Sequence, residues 1–257
     1  MTRHTRLIMQ MIYWAFVLYL FIPLSLMILM GFKDSNFIGF PIKSLTLDWY
    51  VGVIQDMEIL SIFGYSFTIA ISSTAIALVI GTWAAMLLTK ASFKGKVILF
   101  ALITLPAVVP GIISAISLRI YSQTLGIDPG MMAVILGHAV HSVPFVTLVS
   151  MARLNSQPLS HVEAAQDLGA DKLVTFFRIT LPYLVPALIG AGIFCMLTSF
   201  DDFVRSFFLG GYEPTLPVYI FAQLRTGMSP EINAISAVVL LITAVMGLTA
   251  ERLLRRK

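Results

Sequence analysis

The sequence predicts an all-α membrane protein with six transmembrane helices, and three observations predict it. Of 257 residues, 58% are hydrophobic and only 12% charged, with a mean hydropathy of +0.91. A water-soluble domain of this size carries about a quarter charged residues. Six apolar stretches, at 7–32, 62–89, 97–121, 131–151, 181–200 and 234–250, approach or exceed the roughly 20 residues that a helix needs to cross a bilayer. The basic residues gather in alternate loops. Backbone groups in lipid must be satisfied within the segment, and period-2 alternation is absent, so helices are expected rather than a barrel.

The first stretch is longer than the apolar core of a signal peptide, about 7–15 residues, and no A-x-A-like site follows it. It reads as a retained helix. The second is uninterrupted. The third contains Pro106, Pro110 and Gly111, where a missing donor and a ring clash predict a kink or unwound turn. Pro144 predicts the same in the fourth. The fifth starts at Leu181-Pro182 and ends before Asp201-Asp202; the sixth follows Glu231. Broken helices at membrane depth are tolerated where they line a cavity or pack on protein. No repeat of 20–50 residues and no low-complexity linker divides the chain, so residues 1–257 read as one transmembrane domain.

Charge placement orients the segments. Arg3, Arg6, Lys90, Lys94, Lys96, Arg153, Lys172, Arg178, Arg252, Arg255, Arg256 and Lys257 fall on one side, twelve of the seventeen Lys and Arg. Lys33, Lys43, Arg119, Arg205 and Arg225 fall on or near the other. The positive-inside rule then puts both termini in the cytoplasm. The net charge of +4 is accounted for by topology, without a nucleic-acid partner. The single cysteine, Cys195, lies in an apolar run and excludes a disulfide framework. His138 and His141 share one face of the fourth span, but a metal would need a further ligand, so polar packing against a neighbouring helix is expected.

The most informative loop is 153–180. Ser160-His161-Val162-Glu163 fits a capping box, which predicts a short helix from Ser160. Gly169 can end that helix in a left-handed conformation, and a second helix can restart near Asp171. Small Ala164 and Ala165 let a partner surface approach. On the opposite side, Asp201 and Asp202 at the outer end of span five read as one helix with side chains about 100° apart, one towards a pathway and one capping or meeting Arg205. Trp49 fits an interfacial aromatic belt.

Glu163-Ala164-Ala165, Gly169, Ile179 and Leu181-Pro182 are spaced as in the EAA loop of permease subunits of binding-protein-dependent ABC importers, which the chain resembles. Ser199-Phe200-Asp201-Asp202-Phe203-Val204, Ser229-Pro230-Glu231-Ile232-Asn233-Ala234 and Trp49-Tyr50 are similar to segments of the spermidine/putrescine-type permeases. The resemblance covers most of the chain from Trp49 onward. It implies the type I importer permease fold in the bacterial inner membrane. It also implies a second, similar permease subunit, a pair of ATPase subunits that dock on the EAA loop, and a periplasmic solute-binding protein. It gives this chain no cofactor and no catalytic residue; ATP and Mg belong to the ATPase, consistent with the lack of a G-x-x-x-x-G-K-[ST] loop here.

By resemblance, Trp49, Asp201 and Asp202 contact or guide a cationic amine, a polyamine first, through charge and cation–π attraction. Pro110, Gly111, Arg205 and Glu231 complete the pathway candidates. The chain departs from that pattern twice. Gly111 stands where polyamine-type relatives often carry an acid, and Arg205 where they are apolar. A basic group beside the aspartates suits a zwitterion, such as an amino-acid-like, opine or aminophosphonate solute. An independent secondary transporter would want internal symmetry and midplane charges, and an intramembrane metalloprotease H-E-x-x-H; the sequence has none of these.

Overall fold

The computed structural model describes residues 3–35, 39–227 and 229–255. The described chain is helical throughout, with one isolated antiparallel bridge between Lys33 and Leu45. It packs as two compact units: Met1–Ser61 with Ile220–Ala244, and Ile62–Tyr219 with Val245–Lys257.

In the first unit, α1 (Arg3–Met30) leaves nearly all of its apolar surface uncovered, as a lipid-facing span does. The chain then turns through a short segment into α2 (Asp48–Gln55). The Trp49 indole donates to the Lys33 carbonyl at 2.9 Å, and the Tyr50 ring packs on Phe32 with centroids 4.5 Å apart. These contacts fold the segment after α1 back on itself. The unit also holds the first part of α12 (Pro230–Arg255), which starts on a favourable pair. The Ser229 hydroxyl accepts from the Ile232 N–H, and Pro230 fills the first helical position, where no donor is needed.

The second unit is built on α3 (Met57–Lys90), α6 (Met131–Asn155) and α9 (Leu181–Phe200). Small residues let these helices approach closely, the usual basis of packing where lipid tails remove the hydrophobic drive. Ala77, Val146, Ala191 and Cys195 form one buried cluster, and Ala85, Leu154 and Leu184 another. Gly81 lies so close to α6 that a Cβ there would sit 2.7 Å from Val146 Cβ and 3.1 Å from the Thr147 nitrogen. A third cluster, around Ile69, Val134, Ile135 and Leu209, includes α10 (Phe203–Leu209). α11 (Leu216–Thr226) begins in this unit, where the Leu216 N–H bonds the Ser66 hydroxyl at 2.7 Å.

Two expectations about spans change. The third stretch is two helices, α4 (Lys96–Val108) and α5 (Gly111–Thr124), bent by 110°. Pro110 caps α5 in an extended conformation and has no N–H to continue α4, so of the two expected outcomes, kink or unwound turn, the proline signal produces the second, as a sharp break. The described chain thus has five helices fit to cross a membrane, or six if the bent pair is one crossing. The fourth stretch does not unwind: α6 runs on through Pro144, which is buried among its neighbours.

Gly81→Leu should destabilise the detergent-solubilised protein by about 1–3 kcal/mol, because the α6 backbone cannot yield. Gly64→Ala, with nothing within 4 Å of its new Cβ, should be neutral or slightly stabilising in the same unfolding assay.

Candidate functional site

The loop after α6 is held at its roots by one arginine and one tyrosine. Arg153 Nε donates to the Tyr183 carbonyl at 3.0 Å, and its guanidinium lies 4.1 Å from the centre of the Tyr183 ring. The Tyr183 hydroxyl donates to the Ser156 carbonyl at 2.9 Å. The end of α6 and the start of α9 are thereby pinned together, and the loop between them projects as a knob.

Within the knob, α7 (Leu159–Asp167) has no buried residue. Glu163 and Ala164 are exposed, and Ala165 is half-buried. Leu168, just beyond the helix, is 90% exposed. The capping-box expectation is corrected: the helix starts at Leu159, Pro158 is the N-cap, and no side chain caps it. Ser160 is already inside the first turn, so its hydroxyl is in the wrong register. At the other end Gly169 has φ +87°, with its N–H bonded to the Gln166 carbonyl and the Ala170 N–H to the Ala165 carbonyl. This is the Schellman closure that a left-handed glycine permits. Asp171 caps α8 (Lys172–Thr175), accepting from the Val174 N–H at 2.7 Å.

The chain then widens into a π-helical turn, Phe176–Thr180, containing Ile179. The Leu181 N–H reaches five residues back to the Phe176 carbonyl. Pro182 lies immediately ahead and cannot donate an α-helical bond, which accounts for the widening before it. The helix stays continuous from Lys172 to Phe200.

At the far end of α9 the expected single helix through Asp201-Asp202 is also corrected. Asp201 caps the end of α9, while Asp202 opens α10. The break gives the two acids different surroundings. Asp201 reaches the surface; partial burial first, and the Asp202 carboxylate second, raise its pKa. Asp202 turns inward. Its carboxylate accepts from the Arg205 backbone N–H at 3.0 Å and from the Arg205 Nη1 at 2.6 Å.

Arg205, only 5% exposed, continues the chain of contacts. Its Nη2 donates to His141 Nδ1 at 2.9 Å. A guanidinium has no acceptor, so Nδ1 must carry the lone pair and the ring proton of a neutral His141 sits on Nε2. Beside it runs a second polar chain: His138 Nδ1 is 2.7 Å from the Ser199 hydroxyl, Ser199 is 3.0 Å from Ser73, and His138 Nε2 is 3.3 Å from Ser206.

The second unit therefore brings Asp202 and Arg205 together and holds both away from solvent, with Asp201 outside the pair. Pro110 and Gly111 form the α4–α5 break, whose glycine has open space around it. Trp49 and Glu231 belong to the first unit; Glu231 stands in the first turn of α12, a favourable position for an acid. The spacing of His138 and His141 was visible in the sequence, but their partners on α9 and α10 were not.

An all-helical membrane chain with an exposed helix–glycine–helix knob is the architecture of an ABC importer's membrane subunit. Residues 77–256 match the model of the binding-protein-dependent transport system inner membrane component, and the chain belongs to that family. It is 31% identical over 245 residues to the spermidine/putrescine transport system permease protein PotC of Escherichia coli (strain K12), covering 95% of this chain and 92% of that one. It is 32% identical over 246 residues to the putrescine transport system permease protein PotI of the same strain, covering 93% and 87%. A bacterial ABC transporter involved in alginate import superposes with TM-score 0.77 over 98% of each chain, at 16% identity, a likeness of fold alone. The chain is a permease subunit of an ABC importer, a multi-pass inner-membrane protein and not an enzyme.

Removing Arg205 should leave Asp202 buried and unpaired. Arg205→Ala is expected to destabilise the solubilised protein by about 3–5 kcal/mol, and the volume-matched pair Arg205→Met with Asp202→Leu by clearly less. Equal losses in both, measured by denaturant unfolding, would refute the assignment of a buried ion pair.

Proposed function

We propose that this subunit carries a polyamine such as spermidine or putrescine from periplasm to cytoplasm, driven by a separate ATPase that docks on the 153–180 loop. The observation that carries the coupling reading is α7: a helix with no buried residue, closed by a glycine cap and pinned at its base by Arg153 and Tyr183. A partner of complementary shape is what such an uncovered helix lacks. Glu163, Ala164, Ala165, Gly169, Ile179, Leu181 and Pro182 are the coupling residues in this reading. The whole chain acts as one transmembrane permease domain. Two ATPase subunits, a second permease and a periplasmic solute-binding protein complete the machine. In this reading the α4–α5 pair is one crossing, and the charge bias supports both termini lying in the cytoplasm.

For the solute, the similarity to PotC and PotI favours a polyamine. The burial of Arg205 against Asp202 favours it too. Its positive charge is neutralised inside the protein, so it does not oppose a cation at the surface, where Asp201 remains accessible. Trp49 and Asp201 are the solute contacts in this reading, with Pro110, Gly111 and Glu231 along the path. A zwitterionic amino-acid-like solute is the rival that Arg205 and Gly111 suggested.

Uptake of labelled spermidine by cells carrying the complete transporter tests both parts. Glu163→Lys reverses the charge of the knob, and Gly169→Pro is incompatible with φ +87°. Each should reduce uptake by roughly tenfold or more, the effect of losing about 1.4 kcal/mol of docking, while membrane insertion is unchanged. Normal uptake by both variants would remove the coupling role. Stimulation of the complex's ATPase by an amino acid with its binding protein, and not by spermidine, would replace the solute.

A further inference from the structure

A cavity of about 520 Å³ lies between the Lys90 end of α3 and the knob. Lys90, Lys172, Thr175, Thr180 and Gln166 give it a polar side, and Trp83, with Phe176, gives it an apolar wall. The Trp83 and Phe176 rings stack with centroids 5.5 Å apart, so the π-helical turn itself shapes that wall. Lys90 Nζ donates to the Thr180 hydroxyl at 3.3 Å. Two ammonium groups thus line one cavity, and no carboxylate lines it. Among the described residues neither lysine makes an ion pair. Asp171, the nearest acid in sequence to Lys172, is engaged in capping α8. The cavity has the size of a ligand site and carries an uncompensated positive charge.

We propose that this cavity binds the phosphate of an anionic phospholipid headgroup. The shared chemistry is a phosphate ester held by two lysines and the Thr180 hydroxyl, the Thr175 hydroxyl being donated to the Asp171 carbonyl. The apolar wall selects the lipid over a free phosphate. Trp83 and Leu87 line the cavity and are also about half exposed on α3, so its greasy side runs out onto a surface that acyl chains cover. Basic pockets at the cytoplasmic ends of spans are established headgroup sites in other membrane proteins. The proposal rests on the cytoplasmic placement of the knob. A bound headgroup would bridge Lys90 of α3 to Lys172 of α8, and so hold the knob against the span. Val162 and Gln166 of α7 line the same cavity, which places the ligand directly beneath the coupling helix.

The test is native mass spectrometry of the complete, delipidated transporter titrated with phosphatidylglycerol or phosphatidylcholine. Wild type should retain phosphatidylglycerol, and Lys90→Gln with Lys172→Gln should weaken that retention by roughly 30-fold, the product of two surface charges. Phosphatidylcholine should bind both proteins alike. Lys90→Arg with Lys172→Arg should keep tight binding, which separates lost charge from lost fold. Lys94→Gln with Lys96→Gln should leave it intact; an equal loss there would show diffuse attraction and overturn the site. Unchanged phosphatidylglycerol binding in the Lys90/Lys172 glutamine variant would overturn it as well. Complete displacement of the lipid by millimolar glycerol phosphate would overturn the lipid assignment. Glu163→Lys, which tests the coupling reading, should leave lipid retention unchanged, so the two readings fail separately.

Discussion

A guanidinium stays charged at every accessible pH, and burying it commits the surrounding structure. Arg205 is a buried guanidinium, and Asp202 and His141 are placed to meet its two terminal nitrogens. Asp202 can serve it only because α9 stops at Phe200 and α10 starts afresh, which turns that carboxylate inward. His141 can serve it only as the tautomer whose Nδ1 is free to accept. One buried charge thus ties α6 to the hinge between α9 and α10.

The opposite end of α9 is governed by the backbone. Gly169 supplies the only conformation that closes α7 with both Schellman bonds, and Asp171 restarts the chain two residues later. Pro182 then widens the helix into a π turn, which swings Phe176 against Trp83. The knob is stiff at its base and bare on its outer face. A stiff lever with an uncovered surface can pass a movement from a partner into α9, and α9 ends at the buried charge. The two ends of one helix therefore carry the parts that the proposed transport cycle must connect.

Much of this was legible in the sequence, and the misses have physical causes. Segments of some 20 apolar residues, the glycine stop at 169 and the restart at Asp171 depend on local rules, and they appear where those rules put them. The third span is interrupted at Pro110, as those rules say, but they do not say by what angle. Ser160 was misplaced as the cap: the N-cap is Pro158, two residues earlier, and the serine lies inside the first turn. That one of the two aspartates meets Arg205 was legible from their spacing. Its second partner, His141, is 64 residues away in the chain, and no spacing rule reaches that far. The clamp of Arg153 on Tyr183 was hidden for the same reason.

The central claim is that α7 is the surface on which an ATPase acts. Cys195 is buried and is the chain's single cysteine, so a cysteine placed at exposed Ala164, with Cys195→Ala, gives one reactive position. A second can be placed at Tyr212, which is fully exposed after α10. Site-directed cross-linking in the assembled transporter should join residue 164 to the ATPase subunit and leave residue 212 unlinked to it. Cross-linking from 212 but not from 164 would contradict both the orientation and the coupling role.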